Sequence, residues 1–305
     1  MKQMKNNAML LLTALIWGCA FVAQSVGMDY VGPFTFNCVR SVLGSIVLVP
    51  VICLMDHLKR KSGKSEAEIK KERGNTKTLL AGGICCGLLL AAASSLQQYG
   101  ILFTTVGKAG FITAMYIVLV PVFGLFLGRK VRSLIVLCVV MAAAGLYFLC
   151  MTEHLSLGFG DLLVLICAAV FTLHILVIDH FSPLVDGVRM SAIQFLTAGI
   201  ACGVPMLIWE TPNLSDIAAA WMPILYAGVM SCGVAYTLQI LGQKNAEPTV
   251  ASLLLSLESV FSVLAGWVLL GQRLSGRELF GCALMFAAII LAQLPEKKRG
   301  DGQPT

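Results

Sequence analysis

Charged residues are scarce in this sequence of 305 residues, since Asp, Glu, Lys and Arg make up only 12% of it while 58% is hydrophobic. So little charge excludes an ordinary soluble domain, in which about a quarter of the residues are charged. The pattern G-x-x-x-x-G-K-[ST] is absent, which argues against ATP as an energy source. C-x-x-C is absent too, so the 11 cysteines are interpreted as apolar packing residues, with no metal site and no cofactor expected.

Long apolar stretches take the place of the missing charge. Ten of them approach the roughly 20 residues that a helix needs to cross a hydrocarbon core of about 30 Å. They predict an all-α integral membrane protein with ten transmembrane helices. The predicted spans are residues 8–27, 33–55, 79–104, 109–128, 133–151, 160–178, 188–209, 222–242, 249–270 and 279–294.

The positive charges lie mostly on one side of this predicted topology. With the amino terminus in the cytoplasm, 18 of the 22 Lys and Arg residues fall in cytoplasmic segments. Because cytoplasmic loops are enriched in Lys and Arg, we expect a multi-pass protein of the bacterial inner membrane with both termini in the cytoplasm. The net charge of +6 then needs no nucleic-acid partner. Residues 56–78, the longest hydrophilic connection, are interpreted as a solvated cytoplasmic loop without assigned chemistry.

The sequence contains an internal repeat. The segment ALIWGCAFVAQSVGM (14–28) aligns with AAVFTLHILVIDHFS (168–182) at an offset of 154, which places Trp17 over Phe171 and Arg40 over Gln194. Later segments align at offsets of 138 and 143 because the first half carries the longer loop. With five helices in each half, the second copy must enter the membrane from the opposite side. Inverted repeats of this kind form many secondary transporters.

Several stretches carry a resemblance to a known family. ALIWGCAFVAQ, GPFTFNCVRS and SLLLSLESVFSVLAGWVLLGQRLS, followed by GCALMFAAIIL, resemble the drug/metabolite transporter superfamily and within it the ten-helix EamA-like family. The resemblance implies two five-helix repeats, residues 1–152 and 153–295, followed by a cytoplasmic tail, 296–305. The family usually has glutamate where this chain has Gln272, and proline where it has Ser259, so the usual cause of a kink in the ninth helix is missing.

The resemblance also implies a function. It predicts a secondary active transporter of amino-acid-like or drug-like solutes that works by alternating access, with efflux as the favoured direction. Uptake of a vitamin, a sugar or a nucleoside-like solute is the alternative. The expected partners are a small-molecule solute and the lipid bilayer, and both a monomer and a homodimer are compatible with the sequence.

Two other classes of protein are disfavoured. His174 and Asp179 fit H-x-x-x-x-D, an acyltransferase pattern, but residues five apart stand about 140° apart around a helix. We therefore expect no catalytic residue and no enzyme. A receptor without translocation does not account for the repeat.

Glu258 is the one charged residue of the ninth span. At about 100° per residue it lies at the edge of a face of small residues, so we expect it to point into the bundle. A carboxylate at the membrane midplane costs roughly 3 kcal/mol, so it persists where it is paired, protonated or hydrated. Two interpretations stay open: proton coupling or solute contact, and a structural link, for example to Arg40.

Other polar and aromatic side chains inside the spans are candidates for solute contact. Arg40, roughly 10 Å into the second span, would be the counter-charge for a carboxylate, and amide groups would be unsatisfied in lipid. Packing and interhelical hydrogen bonding are the alternatives for each of them. The candidate substrate-binding residues are Trp17, Gln24, Arg40, Gln97, Gln98, Thr113, Tyr116, His174, Tyr236 and Gln239, and Glu258 is the proton-coupling candidate.

Overall fold

A computed structural model describes residues 2–104, 106–128, 131, 133–150, 158–244, 246–270 and 275–292. Gln272 and the predicted tail lie outside these ranges. Within them every regular element is a helix, so the all-α prediction is confirmed. The elements are α1 (Lys2–Gly27), α2 (Pro33–Lys61), α3 (Glu66–Arg73), α4 (Thr76–Ile101), α5 (Val106–Ala114), α6 (Tyr116–Phe126), α7 (Ser133–Cys150), α8 (Phe159–Phe181), α9 (Gly187–Trp209), α10 (Leu214–Ala219), α11 (Trp221–Leu225), a π-helical segment (Tyr226–Ala235), α12 (Tyr236–Gln243), α13 (Pro248–Leu255), α14 (Glu258–Leu270) and α15 (Gly276–Ala292).

Seven helical stretches in the described part are long and apolar enough to cross a membrane. Three shorter apolar helices, Ile112–Phe126, Ser133–Phe148 and Leu279–Ala292, coincide with the remaining predicted spans. Large apolar side chains such as Ile200, Leu207 and Ile290 are exposed on the outside of the bundle, as lipid contact requires. The seven stretches are Gln3–Gly27, Pro33–Lys61, Glu66–Ile101, Phe159–Phe181, Gly187–Trp209, Trp221–Gln243 and Pro248–Ala265.

The ninth predicted span is interrupted although it lacks the family's proline. Residues 256–257 separate α13 from α14. The hydroxyl of Ser252 in α13 and that of Ser256 in the break donate to the carbonyls of Thr249 and Leu253, each at 2.8 Å. Serine hydroxyls that bond back to the preceding turn bend helices. The serines therefore supply a local cause for the break.

Two further interruptions occur in the described residues. The fourth predicted span breaks at Met115. The amide of Met115 donates to the carbonyl of Ile112 at 3.2 Å, so it bonds to the third residue before it, as in a 3₁₀ turn, instead of the fourth, as in an α-helix. The eighth predicted span passes through the ten-residue π-helical segment between α11 and α12. Irregular turns of this kind inside helices are frequent at functional sites.

Helices α2 and α9 pack against each other more extensively than any other pair in the described part. Thr35 at the start of α2 meets Glu210 at the end of α9, and Asp56 near the end of α2 meets Arg189 at the start of α9. The two helices are therefore antiparallel. A Cβ at Gly199 in α9 would come within 2.7 Å of the Val42 side chain, so a small residue is required where they cross.

Helices α7 and α15 form a second close antiparallel pair. A Cβ at Gly145 would lie 2.9 Å from the carbonyl oxygen of Gly281, and the rings of Phe148 and Phe280 lie 5.2 Å apart. Phe148 lies near the end of α7 and Phe280 near the start of α15, which sets the opposite directions.

The loop between α2 and α4 is more ordered than a purely solvated connection. It contains α3, which begins with a capping box in which Ser65 and Glu68 bond reciprocally. The carboxylate of Asp56 accepts from Arg73 of this loop at 2.9 Å and also from Arg189. The backbone amide of Asp186 donates to the carbonyl of Arg73 at 3.3 Å. The loop is thus tied to the start of α9.

Candidate functional site

A narrow cavity with polar and apolar lining lies between the described helices. Its walls come from α1, α2, α4, α5, α6, α8, the π-helical segment, α12, α13 and α14, while α9 contributes no lining residue. The cavity volume is about 40 Å³, which is room for a few water molecules. The lining residues are Trp17, Ala20, Phe21, Gln24, Arg40, Gln97, Thr113, Tyr116, Phe171, His174, Ile175, Ser231, Tyr236, Gln239, Leu255 and Glu258.

The structure brings nine of the ten candidate substrate-binding residues, together with Glu258, to this one cavity. The exception is Gln98, which is fully buried next to it. Its Nε2 donates to the carbonyl oxygen of Gln24 at 3.2 Å. Gln98 therefore supports the α1 wall instead of lining the cavity.

Several buried polar atoms of the lining have no hydrogen-bond partner among the described residues. Buried polar groups are nearly always hydrogen-bonded, and each unsatisfied one costs about 1–3 kcal/mol. Atoms of this kind that share one cavity are suited to binding waters or a polar solute. They are Nε1 of Trp17, Oε1 of Gln24, Nε of Arg40, Nδ1 of His174 and Oε1 of Gln239.

The cavity is lined by one guanidinium, Arg40, and one carboxyl group, Glu258, that do not pair with each other. Arg40 and Glu258 are each 5% exposed, and within the described residues no ion pair joins them. The guanidinium of Arg40 lies 5.6 Å from the ring centroid of Phe36, a cation–π contact. The structural link between Arg40 and Glu258 is thus not formed. Two buried charges in one cavity can instead bind the opposite ends of a dipolar solute.

Glu258 lies at the start of α14, directly after the break in the ninth predicted span. The hydroxyl of Tyr116 donates to its Oε1 at 3.0 Å. The amino end of a helix carries partial positive charge, which stabilises a nearby carboxylate. The break therefore provides a favourable position for the carboxylate inside the bundle. Nearby, Ser259 donates to the carbonyl of Gly110 at 3.2 Å and links α14 to α5.

Aromatic rings form one wall of the cavity. The rings of Trp17 and Tyr236 are 4.5 Å apart, and His174 lies 6.1 Å from Tyr236. Nε2 of His174 lies 3.2 Å from Oε1 of Gln194, a residue of α9 behind the wall. This wall offers an apolar surface beside the charged groups.

One amide candidate and one hydroxyl candidate, Gln97 and Thr113, are bonded to each other. Nε2 of Gln97 donates to Oγ1 of Thr113 at 3.1 Å, which joins α4 to α5 beside the break at Met115.

Asp179 is not among the lining residues, and Nδ1 of His174 has no bond to it. The acyltransferase pattern is therefore not assembled.

Sequence reasoning did not place Phe21, Phe171, Ile175, Ser231 or Leu255 at the site. The internal repeat contained a signal for one of them, because Phe171 is the equivalent of Trp17 at the offset of 154. The others are ordinary residues of apolar helices, and their sequence context does not distinguish them from packing residues.

The description "EamA-like transporter family" fits both parts of the sequence, since that family's model matches residues 4–151 and again 158–294. The chain belongs to the EamA-like transporter family. It is therefore a multi-pass membrane transporter of the drug/metabolite transporter superfamily, with a small-molecule solute and the bilayer as its partners.

Other proteins resemble the chain over nearly its whole length. It is 27% identical over 294 residues to an uncharacterized transporter of Archaeoglobus fulgidus, covering 96% of this chain and 87% of that protein. It is 23% identical over 287 residues to the uncharacterized transporter YoaV of Bacillus subtilis, covering 91% of this chain and 92% of that protein. A solved crystal structure superimposes with a TM-score of 0.73 at 18% identity, over 93% of this chain and 95% of the other. That similarity shows a shared fold.

Proposed function

We propose that the protein is a secondary transporter that exports a small amino-acid-like solute by alternating access between two inverted halves, residues 1–152 and 153–295. The antiparallel packing of α2 on α9 supports this architecture, because the repeat makes these two helices equivalent. Equivalent helices that run in opposite directions are what an inverted repeat requires. The separate family matches to the two halves agree with the boundary.

The observation that carries the proposal is the set of unpartnered buried polar atoms around one cavity lined by both halves. At about 40 Å³ the cavity is too small for an organic solute of several heavy atoms. Its walls must separate before such a solute can enter. Opening toward one side of the membrane and then toward the other is the motion that inverted repeats permit.

The charges and rings of the cavity favour a zwitterion with an apolar or aromatic side chain. Arg40 would bind a carboxylate, Glu258 would bind an ammonium group, and the Trp17 and Tyr236 rings would pack on the side chain. A drug-like solute with the same groups fits this chemistry equally. A neutral sugar would leave both buried charges without a partner, which costs several kcal/mol.

Glu258 is the proposed coupling group. It is the single carboxylate among the cavity-lining residues, and it is held by a neutral phenol, Tyr116, instead of a fixed cation. A carboxylate in that setting can release a proton to one side of the membrane and take one up from the other. Solute and proton would then compete for the same carboxylate, which couples their movements in opposite directions.

The orientation is part of the proposal. The excess of Lys and Arg in alternate loops supports cytoplasmic termini in a bacterial inner membrane. Fluorescence of green fluorescent protein fused to the carboxyl terminus tests this orientation, because that protein does not fluoresce when exported. A dark but full-length fusion would reverse the proposed topology.

Reconstitution tests the function as a whole. Purified protein is screened by thermal shift against amino acids, vitamins, sugars and nucleosides, and each stabilising solute is then assayed for flux in proteoliposomes. We expect a zwitterionic solute to stabilise the protein and to cross the vesicle membrane in its presence. Stabilisation by sugars or nucleosides alone would replace the proposed solute class with the uptake alternative.

A matched pair of variants tests the location of binding. Gln239→Leu removes an unpartnered amide from the cavity wall and should weaken solute binding by about tenfold, the value of one neutral hydrogen bond. Thr172→Val is the control, because Thr172 is equally buried but bonds to the carbonyl of Ala168 and does not line the cavity. Equal losses in both variants would mean that the cavity is not the binding site.

A further inference from the structure

Helices α2 and α9 are joined by a carboxylate at each end. At one end Oε2 of Glu210 accepts from the amide of Thr35 at 2.7 Å and from its hydroxyl at 2.6 Å, and Oε1 accepts from the amide of Phe34 at 2.9 Å. At the other end the carboxylate of Asp56 accepts from the guanidinium of Arg189 and, at 2.9 Å, from that of Arg73. We call these contacts the Glu210 clasp and the Asp56 clasp.

The internal repeat relates the two clasps to each other. The offset of 154 that places Arg40 over Gln194 also places Asp56 over Glu210 and Thr35 over Arg189. Each clasp therefore joins the carboxylate at the end of one helix to the start of its repeat partner. The same interaction occurs twice, at opposite ends of one antiparallel pair, although the donors differ.

The two helices are also joined between the clasps. The hydroxyl of Ser45 donates to the carbonyl of Ala192 at 3.0 Å, and Gly199 permits close contact with Val42. At the Glu210 clasp a Cβ on Gly32 would come within 2.4 Å of the Glu210 carboxyl group, so that carboxylate sits tightly against the chain that enters α2. Separation at either end would break charge-assisted hydrogen bonds.

The cavity walls differ from this pair. Helix α9 contributes no lining residue and α2 contributes only Arg40. The three interruptions, at Met115, at residues 256–257 and in the π-helical segment, all fall in helices that line the cavity. Broken helices have fewer backbone bonds to lose when they bend. Helices α2 and α9 are each unbroken, although the internal prolines Pro50 and Pro205 each remove one backbone bond, so the side-chain contacts between the two helices are what hold the pair together.

We infer that α2 and α9, fastened by both clasps, stay together through the transport cycle and act as a fixed frame against which the interrupted helices move. This inference rests on the proposed transport function. It assigns Asp56, Glu210, Thr35 and Arg189 to holding the frame together, so that neither end of the α2–α9 pair opens as the solute passes. The pathway opens instead between interrupted helices such as α5 and α14.

Cross-linking in proteoliposomes tests the frame. One variant carries Thr35→Cys with Glu210→Cys, a second carries Asp56→Cys with Arg189→Cys, and a third carries both pairs. Each is treated with a short bifunctional thiol reagent that a reductant can cleave, and the linked positions are verified by peptide mass spectrometry. We expect flux to stay within twofold of the unlinked sample in all three.

A third site provides the contrast. Gly110→Cys with Ser259→Cys joins α5 to α14, and a Cβ at Gly110 meets no atom within 4 Å, so the first substitution fits the space available. Linking this pair should reduce flux by more than tenfold, and reduction should restore it. Each sample is compared with itself before linking, so poor folding of a variant does not affect the comparison.

The outcomes are distinguishable. Loss of flux on linking either clasp, restored by the reductant, overturns the frame and makes that clasp a gate. Unchanged flux on linking α5 to α14 also overturns it, because the interrupted helices would then not move apart. Absence of flux in unlinked wild-type protein for every solute that binds would instead contradict the proposed transport function.

Discussion

The two halves of the protein have equivalent helices but contribute different chemistry to the cavity. The first half supplies a guanidinium, Arg40, and the second half supplies a carboxyl group, Glu258. The equivalents of these residues are uncharged, since Arg40 aligns with Gln194 and Glu258 aligns with Val120 at the offset of 138. Gln194 does not line the cavity and lies behind its wall, bonded to His174.

In the proposed mechanism, the repeated backbone accounts for the conformational change, and the side chains that differ between the halves account for recognition of the solute. Repeated backbone elements allow two related conformations that open to opposite sides. In the proposed transport cycle, side chains that differ between the halves would give the cavity a positive and a negative end, so that a dipolar solute would bind in one orientation in both conformations. Substitutions that exchange or erase the difference between the halves should therefore affect binding and coupling more than folding.

The largest effect is expected at Arg40. Arg40→Met removes the positive end of the cavity and should cost about 2 to 5 kcal/mol of binding free energy for a carboxylate-bearing solute. That is a weakening of the dissociation constant by more than about 30-fold. The repeat supplies the control, because Gln194→Met changes the equivalent residue behind the wall and should weaken binding by about tenfold at most. Isothermal titration of both variants makes the comparison.

Two results would contradict this assignment. Equal weakening by Arg40→Met and Gln194→Met would show that the two halves do not differ in recognition. A lower melting temperature of Arg40→Met with unchanged affinity would make Arg40 a structural residue that contacts Phe36.

The second effect concerns Glu258. Glu258→Gln keeps the shape of the side chain and its contact with Tyr116 but removes the ionisable group. We expect solute counterflow between equal pH values to continue, while accumulation driven by a pH gradient falls to the level of empty vesicles. Glu66→Gln, an exposed carboxylate paired with Arg60 away from the cavity, is the control and should retain coupling. A pH-driven flux that survives in Glu258→Gln would remove proton coupling through this residue.

The sequence predicted the positions of the helices well because lipid imposes long apolar runs. All ten predicted spans coincide with a helix or with a helix that is interrupted inside the span. The interruptions were not predicted, because hydropathy is continuous across Met115 and across residues 256–257. The serines at 252 and 256 were visible in the sequence, but they were interpreted only as small residues on one face.

The residues that line the cavity were predictable from the sequence to about the same degree as the positions of the helices. Polar side chains inside apolar spans must find partners, and this requirement alone selected Gln24, Gln97, Gln239 and most of the other lining residues. Gln98 was placed in the cavity by the same argument, but its Nε2 donates to the backbone carbonyl of Gln24 beside the cavity, while its Oε1 has no partner among the described residues. The clasps were missed because Asp56 and Glu210 lie outside the predicted spans, and their equivalence needs the repeat offset together with their contacts.

The smallest effect is expected at the aromatic wall, where the halves differ least. Trp17→Phe gives both halves the same residue, since Phe171 is its equivalent. The ring at position 17 still packs against Tyr236, but the unpartnered Nε1 is lost, so we expect binding to weaken by about 0.5–1.5 kcal/mol, two- to tenfold. Phe171→Trp is the matched exchange, and titration measures the affinity of both variants for an aromatic solute and for its analogue without an aromatic side chain.

If the indole contacts the solute, Trp17→Phe weakens binding of the aromatic solute more than that of its analogue. Equal affinities in wild type and in Trp17→Phe would mean that Trp17 only packs against Tyr236.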